Sequence, residues 1–163
     1  MAARAGNAAA AKPNERTVTI TRVFDVPRDL VFKAWTDAER IAQWWAPKGF
    51  TIPACEADPR PGGIFRLCMR WAERGDYWMR GTYREVVAPE RIVIVGVAYD
   101  AQDTARLEAI INLALAELGG RTAMTVTTTA RGSGEIAASM LEGMEQGWNQ
   151  TIDHLELHLT NRR

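Results

Sequence analysis

Apolar and polar residues first fall into a regular order at Thr17. The run Thr17–Phe24 alternates, is rich in β-branched residues, and puts Val18, Ile20 and Phe24 on one face of a strand. Asp25-Val26-Pro27 ends it, and Pro27 suits the first position of a helix whose apolar stripe is Leu30, Val31 and Ala34. Asp37 is placed to N-cap a second short helix carrying Ile41, Trp44 and Trp45, which Pro47-Lys48-Gly49 stops. From Thr51 onward the punctuation is that of a meander. Turn-forming pieces at Pro59–Gly63, Gly75-Asp76, Ala88-Pro89-Glu90, Asp100–Asp103 and Gly119-Gly120 divide about six strand-like runs. In one of them Phe65, Leu67, Met69 and Trp71 share a side, opposite Arg66 and Arg70; in the last, Met124 and Val126 alternate with Thr125 and Thr127.

The segment from Leu107 to Leu118 fits two periods. Leu107, Ile111, Leu113 and Leu115 suit a strand; Leu107, Ile110, Ile111, Ala114 and Leu118 suit a helix, which the Ala, Leu and Glu content favours. Local pattern leaves both open. From Glu135 to Leu159 the steps of three and four through Ala137, Met140, Met144, Trp148, Ile152, Leu155 and Leu159 predict one long amphipathic helix, with Ser133 or Gly134 as its N-cap. Strand, two short helices, about six strands and a long helix make an α+β domain with helices on one face of an antiparallel sheet.

A chain of 163 residues has room for one ordinary domain, expected over residues 17–160. Residues 1–16 read as a flexible leader: an alanine run with no secretory-type hydrophobic segment, in which Pro13 discourages a helix. Lys+Arg and Asp+Glu both number 20, which argues against broad electrostatic binding to nucleic acid or anionic membrane. No run is long and apolar enough for a membrane span, so a cytoplasmic location is the default. Cys55 and Cys68 cannot form a disulfide framework and read as buried free thiols in strands. His154 and His158 have the i,i+4 spacing of a metal clamp, but Leu155 stands where HExxH has its glutamate. They read as a solvated pair near the chain end, and neither a metal nor a cofactor is expected.

The order of elements, together with several motifs, resembles the START-like or SRPBCC superfamily, and within it the bacterial branch named after the activator of heat-shock-chaperone ATPase (AHSA-type). The matching pieces are Thr21–Pro27, Val31–Asp37, Gln43–Phe50, Asp58–Gly63, Gly81–Val86, Pro89–Val93 and Glu142–Trp148. The resemblance implies a helix-grip fold: a curved antiparallel sheet of about six to seven strands around a long C-terminal helix, with a cavity between them. It also implies that Leu107–Leu118 is a strand, against its propensity. It brings no universal reaction, since members of the superfamily bind lipids, hormones or polyketides and some are enzymes.

On that fold the residues expected to line the cavity and touch a small apolar ligand are Trp44, Trp45, Phe65, Leu67, Met69, Tyr83, Met140, Met144, Gly147 and Trp148. Trp44 and Trp45 point about 100° apart on a helix, so one indole can enter the core while its neighbour meets a cavity mouth; both serving as core lids is the alternative. Gly143 and Gly147 share one side of the last helix, where they either leave room for a ligand or permit tight packing on a strand. A small-molecule-binding protein, monomeric or a homodimer, is the first expectation. A chaperone-linked interaction module is the alternative. An enzyme of the cyclase or hydrolase kind, using a cavity carboxylate such as Asp58 or Glu85, comes third, and a purely binding role is favoured over catalysis.

Overall fold

A computed structural model describes residues 14–161. Of the leader expected over residues 1–16, residues 1–13 lie outside the described residues, and Asn14–Arg16 already belong to the first strand. The elements are β1 (Asn14–Phe24), α1 (Arg28–Thr36), α2 (Ala38–Trp44), β2 (Thr51–Ala57), β3 (Ile64–Trp71), β4 (Gly75–Val87), β5 (Arg91–Tyr99), β6 (Ala105–Leu118), β7 (Arg121–Gly132), α3 (Glu135–Glu142) and α4 (Met144–Asn161). The strands form one seven-stranded antiparallel sheet in the order β1-β7-β6-β5-β4-β3-β2. Every neighbour but one is a hairpin partner; β1 reaches β7 only because α1 and α2 carry the chain away from the sheet, so that β2 starts the meander at the opposite edge. The result is the α+β helix-grip arrangement, with two short helices after the first strand.

Alternation sets the inner face. Phe65 and Leu67 on β3, Tyr83 on β4, Ile92 and Ile94 on β5, Ile111 and Leu113 on β6, and Met124 and Val126 on β7 are all buried. The stretch left open by propensity is strand β6, paired with β5 and β7, and it buries Leu107, Ile111, Leu113 and Leu115 on one face. Tertiary pairing here outweighs the small per-residue preference for helix.

Two expected helical features change. In α1 the buried stripe is Val31, Ala34 and Trp35, and Leu30 faces outward at 38% exposure. The single helix expected over 135–159 is interrupted at Gly143, where α3 ends with a carbonyl-satisfying turn and α4 begins. The apolar steps continue across the break, so periodicity could not show it. Asp37 caps α2 as expected, accepting the Glu39 N–H at 3.1 Å. Pro27 sits one position earlier than expected, as the N-cap of α1, and Gly134 is the N-cap of α3.

Candidate functional site

The helices close firmly over the sheet at one end. Trp35, Trp44, Trp45 and Trp148 cluster there with ring centroids 4.9–6.4 Å apart, and Phe65 and Tyr83 continue the contact series from Trp45. Two polar atoms of these aromatics have structural work. The last turn of a helix leaves backbone carbonyls without intrahelical partners. In α1 the Ala34 carbonyl accepts from the Trp44 indole N–H at 2.9 Å, and the Trp35 carbonyl accepts from the Tyr83 hydroxyl at 3.1 Å. Burial pushes the Tyr83 phenol well above the usual range, which keeps it a donor.

This arrangement sorts the ten residues expected to line a cavity. Trp44, Trp45, Phe65, Leu67 and Tyr83 are buried in the main core, and both tryptophans of the Trp44-Trp45 pair point inward, at 1% and 6% exposure. Met69, Met144 and Trp148 are half-buried and pack on the rim of that core. Met140 packs on a second, smaller cluster of Leu107, Ala130, Ala137 and Leu141. Ala109 and Met144 touch both clusters and are themselves only half-buried. The buried core thus falls into two clusters, joined through half-buried Ala109 and Met144.

Gly147 lies on the inward stripe of α4, between Met144 and Trp148 and one turn before buried Thr151. A Cβ built there would meet nothing within 4 Å, and the same is true of Gly143. Tight packing of these glycines on a strand is therefore not their role. The contrast is with Gly81 and Gly96, which face each other across β4 and β5: a Cβ on Gly81 would collide with the Val95 carbonyl oxygen. At the α3 end a concavity of about 530 Å³ is lined by residues including Tyr77, Ile136, Ser139 and Met140. Tyr77 is the cross-strand partner of Met69, and Met140 stands four residues before Met144, across the break at Gly143, so the concavity adjoins the half-buried rim.

The carboxylates offered for catalysis are engaged elsewhere. Asp58 accepts from Arg60 at 2.8 Å and Glu85 from Arg91 at 2.6 Å, all four side chains being substantially exposed. Neither is a desolvated acid or base. The buried carboxylate is Asp100, which the sequence showed only as part of a turn. It accepts from the N–H groups of Gln102 and Thr104 and from Arg106 Nε at 2.9, 3.0 and 2.7 Å. The Arg106 hydrogen bond, then the Thr104 N–H, hold its carboxyl below the usual range, so it is a turn lock that stays ionised. No sequence signal marked it, because every residue except proline carries a main-chain N–H.

The histidines are not a solvated pair: His158 is buried at 8% exposure, and His154 Nδ1 lies 2.7 Å from the Ala46 carbonyl beyond the end of α2. They share a concavity with Gln43, Leu157 and Asn161. Among the described residues no group of three or more His, Cys, Asp and Glu side chains converges. Cys55 and Cys68 are both free; Cys68 is buried, Cys55 half-buried, and burial first, then Glu56 and Asp37, raise the Cys55 thiol to about 11. No helix among the described residues is long and apolar enough to cross a membrane.

The family model of the Activator of Hsp90 ATPase homolog 1-like proteins matches residues 25–160. The chain belongs to that family. No curated protein matches it significantly. Among solved structures it is similar to a protein from Nitrosomonas europaea, with 25% identity over 90% of this chain and 96% of that one and a TM-score of 0.72. A protein from Chromobacterium violaceum has 26% identity over 88% and 96% of the two chains, with a TM-score of 0.73. The AHSA1 protein from Silicibacter pomeroyi shares the fold at 21% identity, over 91% and 100%, with a TM-score of 0.74. The family so assigned places the chain in the AHSA-type branch that its motifs resemble.

Proposed function

We propose that this AHSA-type protein binds a small apolar molecule in the groove between the start of α4 and the inner face of the sheet. The observation that carries the reading is Gly147: a half-buried position on the stripe of α4 that leads to buried Thr151, where an added Cβ meets no neighbour within 4 Å. The half-buried residues packed against the two core clusters, Met69, Met140, Met144 and Trp148, would supply an apolar lining of adaptable shape. The buried aromatics Trp44, Trp45, Phe65 and Tyr83, with Leu67, form the floor behind Trp148 rather than direct contacts. With Asp58 and Glu85 neutralised by arginines, binding rather than catalysis is the role the groove suits. Trp148 is the reporter: an apolar ligand seated beside it shifts its emission and raises the melting temperature. A panel of apolar compounds, with 1-anilinonaphthalene-8-sulfonate as first probe, tests this by thermal shift and fluorescence. Absence of any shift, or unchanged binding in Gly147→Leu, defeats it. The chaperone-linked alternative rests on the family's name alone.

A further inference from the structure

At Gly143, the residue between α3 and α4, neither conformational strain nor close packing calls for glycine. Its φ of −86° is comfortable for any residue, and a Cβ would meet nothing within 4 Å. Glycine is nonetheless among the least favourable residues for a helix, so what it contributes here is backbone freedom. At the other end of α3, Gly134 is the N-cap with φ 95° and offers no side-chain cap. The eight-residue helix is therefore tethered by glycine at both ends.

Its grip on the body of the protein is small. Ala137 and Leu141 pack on Leu107 and Ala130, in a cluster separate from the main core, while Ile136 is 44% exposed. One side chain spans the break. Arg16 on β1 donates through Nη1 to the carbonyls of Leu141 and Glu142, at 2.9 and 3.1 Å, and through Nη2 to the Glu145 carboxylate at 2.9 Å. The first two contacts satisfy carbonyls at the end of α3, and the third holds the first turn of α4. A guanidinium suits this because its donors sit in a rigid fork.

We propose that α3 is a hinged lid, pivoting on Gly134 and Gly143 and latched by Arg16, whose opening admits ligand to the groove. Ile136, Ser139 and Met140 on α3 form one wall of the concavity adjoining that groove, so displacing α3 widens its mouth. The hinge stands on the geometry of α3 alone; its role in admitting ligand rests on the proposed binding function.

Hydrogen exchange of the full chain without ligand tests the hinge. Amides of Ala138–Glu142 exchange faster than those of Thr151–Leu159 in α4, and Arg16→Ala speeds the α3 set by about tenfold while leaving the α4 set unchanged. Arg16→Lys, which keeps the charge but not the fork, gives an intermediate rate, and Gly143→Ala slows α3. Equal acceleration of both helices in Arg16→Ala, or α3 exchanging as slowly as α4, overturns the hinge. Should Arg16→Ala fail to fold, Gly143→Ala carries the test, since it removes no contact: unchanged α3 exchange there overturns the hinge. Stopped-flow binding of 1-anilinonaphthalene-8-sulfonate tests admission: faster association in Arg16→Ala and slower in Gly143→Ala support it, and equal rates overturn it. A hinge that behaves as stated in a protein that binds no apolar probe overturns the groove and the lid's role in admission, and leaves α3 mobile for another reason.

Discussion

Replacing Gly147 with alanine should make the protein more stable, an unusual sign for a substitution on the inward side of a helix. The size follows from two terms. Alanine is better than glycine in a helix by up to about 1 kcal/mol, and Gly147, in the second turn's approach, already bonds its N–H to the Gly143 carbonyl at 3.0 Å. The opposing steric term is absent, because the added Cβ has no neighbour within 4 Å and the backbone is ordinary helix. For a chain of this size about 1 kcal/mol corresponds to a rise of about 2–4 °C in melting temperature. Urea melts with an unchanged slope and thermal scans read it directly. Leucine at the same site keeps nearly all the propensity gain and fills the groove, so it retains stability while losing apolar-probe binding. If the glycine instead permitted close packing, leucine would overpack the interface at about 1–3 kcal/mol. A fall in the urea midpoint of either variant refutes the open groove at this position.

The opposite sign is expected at Gly81, where alanine collides with the Val95 carbonyl; a loss of about 3 kcal/mol or more, or failure to fold, checks this by the same melts. Tyr83→Phe leaves the buried Trp35 carbonyl without its hydroxyl partner and should cost about 1–3 kcal/mol, with near-ultraviolet circular dichroism confirming that the aromatic cluster persists. The Cys55 thiol, raised by burial from 9.0 to about 11, favours the fold fully below pH 9 and loses that contribution as pH rises through about 11. Cys55→Ala should therefore flatten the alkaline limb of the stability profile, and an unchanged limb contradicts the assignment. Asp100 has the reverse sense: its depressed carboxyl stabilises the fold above about pH 4 and ceases to as pH falls through its folded value, so Asp100→Asn should reduce stability at neutral pH and shrink the acid-induced loss.

The sheet was legible because two-residue alternation survives folding: Phe65, Leu67, Met124 and Val126 are buried on the face that the pattern assigns. β6 was not decidable locally, since Leu107–Leu118 carries apolar residues at both periods and only its pairing with β5 and β7 selects one. The break at Gly143 was hidden for a related reason. A one-residue interruption followed by a resumed helix preserves the steps of three and four, so the sequence shows a glycine but not the hinge. Trp44 and Tyr83 could be recognised as inward aromatics, but not as caps for α1, because their hydrogen-bond partners are backbone carbonyls that no composition or spacing encodes. Asp100 was hidden in the same way, its partners being mostly main-chain N–H groups.

A small α+β domain has to close its helices over one face of a sheet, and here the two ends of that closure are built differently. At the tryptophan end the closure is specific: indole and phenol donors tie α1 to α2 and β4, while Thr122 Oγ1 donates to the Val26 carbonyl at 2.7 Å just before α1. Each of these bonds is buried, where leaving a partner unmet costs more than the bond itself contributes, so that end tolerates little movement. At the α3 end the attachment is a few small or aliphatic side chains and one partly exposed arginine. Exposed ion pairs of that kind contribute little to stability, which makes a latch that can release. Rigidity is concentrated where polar atoms are buried, and freedom where glycine and water-accessible charge meet. A ligand groove of the kind proposed, set between such ends, would change shape without disturbing the core, which is the physical reason for expecting stability and binding to separate under mutation at Gly147 and Gly143.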